Sequence, residues 1–270
     1  MIRDWLIHTT RNTHGYQYNV IDVSETDIRA EVAFPSWLAG ELLVAYKNPE
    51  HLKRRYSKRD KKELQDYLVN EVFPPVTETL DKNVRRGDWG EIVTSLILRD
   101  VKQLETALIK LRYKLNRKKS TFGIDVFGVQ LDAFGKVSSL CVCETKTKIT
   151  YDKKIGIEAY NSLFSNDTSA IVTIADFMST LYYSEKRYDL SDQFDEIVLK
   201  KANFPTNHHI FLVHEKKLWK EDILMELNNT KDLMKGFSVN ILLINNLDDL
   251  AKQSFSQIPK IGEGIVYGTS

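Results

Sequence analysis

The stretch FGIDVFGVQLDAFGKVSSLCVCETKTK, residues 122–148, decides how the rest of this chain is read. FGIDVFGV predicts one strand, QLDAFGK a turn, and VSSLCVCETKT a second strand. Leu140, Cys141, Val142 and Cys143 are apolar in succession, as in a strand covered on both faces. Yet charged residues, Asp125, Glu144 and Lys146, are placed where the pattern calls for burial. Side chains alternate along a strand, so Glu144 and Lys146 project from one face. A local turn brings Asp125, on the neighbouring strand, beside Glu144. Buried charges need partners, and two close carboxylates repel unless a cation joins them or one takes a proton.

That requirement points to a chemistry. A hard divalent ion, Mg²⁺ or Mn²⁺, takes oxygen ligands and keeps places for water and a phosphate. Asp125 and Glu144 are the candidate ligands, and the backbone carbonyl of Thr145 is a further one. A bound metal neutralises phosphate charge and generates hydroxide. Lys146 can orient or deprotonate a water, or stabilise developing charge; the sequence leaves these open. The competing reading is a salt bridge between Lys146 and either acid.

Outward from the hairpin, the alternation of elements predicts an α/β or α+β fold with a mixed sheet flanked by helices. Upstream, PEHLKRRYSKRDKKELQDYLVNEVF (49–73) is a charged helical segment closed by Pro74-Pro75. Asp88 is expected to cap a helix starting near Trp89, with Ile92, Val93, Leu96 and Ile97 as its apolar stripe and Glu91 off that stripe. Leu104, Leu108, Leu111 and Leu115 predict another helix. Downstream, residues 153–164, 169–186, 220–229 and 247–255 read as helices, and 208–215 and 238–246 as strands. IDVSETDIRAEVAF (21–34) reads as one or two short strands.

With 270 residues the chain suits one large domain or two small ones. We expect an accessory, partner-docking region at 1–80 and a catalytic domain at 81–270. A formal net charge of +1 means that no global field draws it to nucleic acid or membrane, so such binding falls to local patches. The basic runs 51–62 and 114–120 are the candidates, the second preceding the Asp125 strand. Arg117, Lys118 and Lys119, with Lys148 on the Lys146 face, are expected to meet phosphates. The two cysteines read as small core residues of a chain in a reducing, cytoplasmic setting. MIRDWLIHTT lacks the pattern of a signal peptide, and no run suggests a membrane span. His208, His209 and His214 have no acid at ligand spacing and read as strand residues.

Glu91, Gly123-Ile124-Asp125 and Glu144-Thr145-Lys146 together resemble the PD-(D/E)xK nuclease superfamily, with Ile124 where the pattern has proline. The resemblance implies a restriction-endonuclease-like fold. It places Asp125 and Glu144 on a metal, Lys146 on the attacking water or scissile phosphate, and Glu91 on a second metal or in an orienting role. The order GDWGE (87–91), a leucine-rich segment, KKSTFGIDVFGV (118–129), then CETK (143–146), further resembles the HamA family, the nuclease subunit of the Hachiman anti-phage defence system. That resemblance implies DNA as substrate, a helicase partner, and restraint until infection. The other readings are a noncatalytic DNA- or partner-binding adaptor on a degenerate nuclease fold, and an RNA nuclease.

Overall fold

The computed structural model describes residues 1–12, 15–30, 34–106, 111–112, 123–165 and 167–268. Chain order begins with α1 (Ile2–Trp5), β1 (Leu6–Thr10), β2 (Asn19–Glu25) and α2 (Phe34–Tyr46). Next come α3 (Pro49–Tyr56), α4 (Lys61–Tyr67), α5 (Thr79–Leu96) and the two-residue β3 (Glu105–Thr106). The hairpin is β4 (Val126–Leu131) and β5 (Val137–Lys148). Then follow α6 (Ile155–Ser165), α7 (Asp167–Ser184), α8 (Tyr188–Val198), β6 (Thr206–Glu215), α9 (Asp222–Asn228), β7 (Phe237–Ile244) and α10 (Leu247–Tyr267).

The strands form one mixed sheet in the order β1-β2-β7-β6-β5-β4-β3. β2, β7, β6 and β5 run parallel to their neighbours in that series, and β1, β4 and β3 pair antiparallel at the two edges. Helices cover both faces. One core joins α1–α5 and α10 through Trp5, Leu42, Trp89, Ile92, Phe211 and Ile258. The other joins α6–α9 through Ile155, Met178, Phe194, Ile210 and Leu224. The mixed α/β architecture expected from the sequence is the one observed. No helix among the described residues is long and apolar enough to cross a membrane.

Residues before position 81 are part of this same sheet and core: β2 pairs with β7, and α2 packs on α5 and α10.

Local chemistry explains the boundaries. Asn48 caps α3 by accepting from Glu50 N and His51 N, with Pro49 in the first turn. Asp60 caps α4 by accepting from Glu63 N at 2.8 Å. In the hairpin turn, Asp132 Oδ1 accepts from Phe134 N at 2.8 Å and Lys136 N at 2.9 Å. Gly135 completes that turn at φ +76°, where a Cβ would be strained.

Several expectations need correction. Asp88 caps nothing: α5 begins at Thr79, so Asp88 lies inside the helix and is buried. Propensity favoured a cap, but tertiary burial overrides it. Residues 105–106 form strand rather than helix, pairing with Val129 and Gly128 at the open edge of β4. Leu111 is buried, whereas Leu108 and Leu115 fall outside the described residues. Only the first half of 21–34 is strand; residues 27–30 form a 3₁₀ turn and Phe34 opens α2. The last helix runs on to Tyr267, carrying Pro259 within it.

Candidate active site

β5 is the strand on which the site is built. Its residues alternate faces: Cys141 and Cys143 enter the core under α5, while Leu140 and Val142 enter the core under α6 and α7. β6 accompanies β5 from the pair Leu140–Thr206 as far as the pair Lys148–His214. β4 stops earlier, at the pair Val126–Cys143. Residues 144–148 therefore lose one strand neighbour, and the backbone groups on that side need other partners. Asp125 supplies one, its Oδ2 accepting from Thr145 N at 2.9 Å. Gly123, at φ +67°, sets the bend by which the chain enters β4 and aims Asp125 at the gap.

The gap opens as a cleft of about 490 Å³. Asp125, Glu144, Lys146 and Lys148 line it from the hairpin, Gly87, Asp88 and Glu91 from α5, and Ser162 and Ser165 from α6. Gly90 lets α5 come this close. A Cβ at that position would lie 2.0 Å from Thr147 Oγ1, so only glycine fits without displacement. Thr145 Oγ1 reaches up to α5 and bonds Thr94 Oγ1 at 3.1 Å.

Asp125, Glu144 and Lys146 are brought together. Lys146 Nζ stands 2.7 Å from Glu144 Oε1. Burial pushes the Glu144 carboxyl up to about 7, and the neighbouring Asp125 charge adds to the rise while Lys146 opposes it. Burial pulls the Lys146 ammonium down, but its bond to Glu144 and the charges of Glu144, Asp125 and Glu158 outweigh that and hold it above the ordinary lysine value. The salt bridge expected as the competing reading is therefore present, and the second carboxylate is beside it.

Glu91 belongs to the α5 wall of the same cleft. Asp88, one helical turn before it, is 3% exposed and accepts a hydrogen bond from Tyr46 Oη. Burial, followed by the Asp88 charge, drives the Tyr46 phenol well above its usual value, so it stays a donor. Asp88 is a cleft residue that the cap reading concealed; its signal was the i,i+3 spacing to Glu91 in GDWGE. Nothing in the sequence pointed to Tyr46, which comes from α2.

Other expected residues fall elsewhere. Lys148 lines the cleft but pairs with Asp152 at 3.0 Å. Arg117, Lys118 and Lys119 lie outside the described residues. In the run 51–62, Arg55 stacks over Tyr67 and Tyr56, and Arg59 pairs with Glu63. His208, His209 and His214 stand on β6, and His214 Nδ1 lies 2.9 Å from the Glu215 carbonyl oxygen. Among the described residues no three His, Cys, Asp or Glu side chains converge as a ready-made metal cage.

Upstream on β5, Cys141 Sγ and Cys143 Sγ are 3.7 Å apart and reduced. The contact with Cys143, then His209 and Lys102, pulls the Cys141 thiol down, whereas burial pushes Cys143 up.

A protein-family model described as HamA matches residues 2–258. No curated protein matches the chain.

Proposed function

The chain belongs to the HamA family, a family of the Hachiman anti-phage defence system, and on that premise we propose that it is the system's metal-dependent DNA nuclease, acting with a helicase partner. The observation that carries this reading is the contact of Asp125, Glu144 and Lys146 at the mouth of a cleft open on the β4 side. The PD-(D/E)xK pattern seen in the sequence supports it, with Glu91 on the helix wall opposite the acids.

The donor set suits Mg²⁺ or Mn²⁺. Asp125 and Glu144 offer carboxylate oxygens and Thr145 a carbonyl, without soft ligands in the cleft. Two carboxylates leave several positions for water and phosphate, the arrangement that magnesium sites favour. When bound, the ion supplies a polarised phosphate and an activated water. The carboxylate repulsion that helps lift Glu144 is what such an ion relieves.

The remaining roles follow from charge. Lys146 keeps its proton at neutral pH, so it acts as a donor and positive charge toward the scissile phosphate, not as the proton acceptor. Glu91 and Asp88 make the facing wall acidic, which suits orienting a water or holding a second ion. Ser162 and Ser165 of α6 line the same cleft. Lys148, with Arg117, Lys118 and Lys119, gives the sequence-independent phosphate contacts.

The test is cleavage of labelled DNA by purified protein with Mg²⁺ or Mn²⁺, alone and with a helicase partner subunit. Cutting should require the metal and disappear in Glu144→Ala. Undiminished cutting by that variant sinks the assignment. Calorimetry with Mn²⁺ should show binding that Asp125→Ala removes; no binding by the wild type would instead make the protein a noncatalytic adaptor. An RNA arm in the substrate panel reports on the nucleic-acid class.

A further inference from the structure

The basic run 51–62 takes no part in the cleft, and the fold arranges it as a surface. Leu52 and Tyr56 of α3 and Leu64 of α4 are buried, and both helices pack on α10. Gly262 of α10 permits the approach, because a Cβ there would lie 2.6 Å from Leu68 Cδ1 at the end of α4. The link between α3 and α4 is pinned from the same helix. Tyr267 Oη lies 3.1 Å from the Arg59 carbonyl oxygen and 3.0 Å from that of Asp60. Burying one face of each helix turns the other to solvent, so every cation from Lys53 to Lys62 is exposed.

Charge is in excess on that surface, and little of it is paired. From Glu50 to Asp66 seven Lys and Arg stand against four Asp and Glu. Arg59 pairs with Glu63 at 3.0 Å and Lys61 with Glu263 at 3.7 Å. Asp60 is engaged as the α4 cap. Lys53, Arg54, Arg55, Lys58 and Lys62 form no ion pair with a described residue, and the acids left over are Glu50 and Asp66. Tyr56 and Tyr67 stack at 5.2 Å, and Arg55 lies against both, 5.4 and 4.8 Å from their centroids. A guanidinium held flat on a ring keeps its N–H fork available to a phosphate.

We propose that the outer surface of α3 and α4 binds nucleic acid, holding the phosphate backbone without reading sequence, at a place separate from the cleft. The arrangement selects this occupant. The cations extend along α3, itself about 12 Å long, through the link and into α4, as suits an extended polyanion more than a small anion. From Lys53 to Glu63 no apolar side chain is exposed. A protein interface needs aromatic or aliphatic anchors at its centre and is poor in lysine. A polar, strongly positive surface is what backbone contacts to nucleic acid use. Binding here stands apart from the nuclease reading; only the identity of the bound strand with the cleaved one rests on it.

The experiment is fluorescence anisotropy of labelled single- and double-stranded oligonucleotides with the full chain in EDTA, repeated across salt concentrations. EDTA stops metal-dependent cutting, so binding is read whether or not the chain is a nuclease. The logarithm of the wild-type affinity should fall linearly with the logarithm of salt. Arg54→Gln, Lys58→Gln and Lys62→Gln combined should weaken binding at least tenfold and reduce that slope by about 2. The combination Lys136→Gln, Lys186→Gln and Lys217→Gln removes the same charge from exposed positions elsewhere and should weaken binding less than twofold. Melting temperatures of both should match the wild type. Poly-glutamate of equal charge should compete at least tenfold more weakly than unlabelled DNA. No binding by the wild type, equal losses in the two combinations, or poly-glutamate competing as well as DNA overturns the proposal, the last in favour of an acidic protein partner. Binding as expected by a protein that cuts nothing sinks the nuclease reading alone.

Discussion

The two halves of β5 hold polar groups under opposite conditions. At 141–143 the strand has a partner on each side, and the thiols are sealed beneath α5. At 144–148 the β4 side is open, and the charged groups face a cleft. The sealed dithiol ends at Cys143, and the carboxylate–lysine pair that lines the cleft begins at the very next residue, Glu144. The difference teaches that a missing strand neighbour, more than any one side chain, makes this segment a site. Burial perturbs groups in both halves, but only the second half opens on a cleft.

Removing the charges of the open half should have the largest effect. Glu144→Ala and Lys146→Ala are each expected to reduce metal-dependent DNA cleavage by about 10²–10³-fold or more, read from initial rates, with melting temperature retained. A loss below tenfold would place the chemistry elsewhere.

Widening the cleft comes next. Gly90→Ala drives a methyl into Thr147 Oγ1, and overpacking of this kind costs about 1–3 kcal/mol. Urea denaturation should show it, and Thr147→Ala should restore part of the loss in a double-mutant cycle. Additive effects would mean that α5 and β5 do not meet there.

The open half should also titrate. Glu144 is raised to about 7, so the folded chain holds a proton that the unfolded chain releases at ordinary carboxylate pH. Metal-free protein should then lose stability as pH climbs from the usual carboxylate range to about 7, and level off above it. The loss should be on the order of 3 kcal/mol. Melting curves from pH 5 to 8 check it: Glu144→Gln should flatten the slope, and Mg²⁺ at pH 8 should recover stability by favouring the ionised form. A wild-type profile as flat as that of the variant would refute the coupling.

The smallest effect belongs to the sealed half. Cys141→Ala should cost about 1 kcal/mol and leave cleavage within twofold of wild type. A tenfold fall in rate, measured at equal folded fraction, would break the division between the two halves.

How much was legible beforehand differs by residue. Asp125, Glu144 and Lys146 could be read because period-two alternation and one short turn bring them together within 22 residues of chain. Asp88 was misread because a lone Asp before a hydrophobic stripe has the signature of a cap, and helix starts are poorly defined locally. The short β3 took residues from an expected helix, since the unpaired edge of β4 offers hydrogen bonds that leucine spacing does not reveal. β2 could be read as a strand, but not that it lies beside β7, more than 200 positions later.

The amino-acid order alone determined the alternation of helices and strands, the β4–β5 hairpin and its turn, and the shared spot of two acids and a lysine. Those features depend on contacts between near neighbours, which periodicity encodes. The tertiary structure alone decided that β4 ends one residue short of Glu144, that Gly90 brings α5 onto Thr147, and that Tyr46 reaches Asp88. Each joins segments far apart in sequence, where burial and close packing choose the partner and no local pattern records the choice.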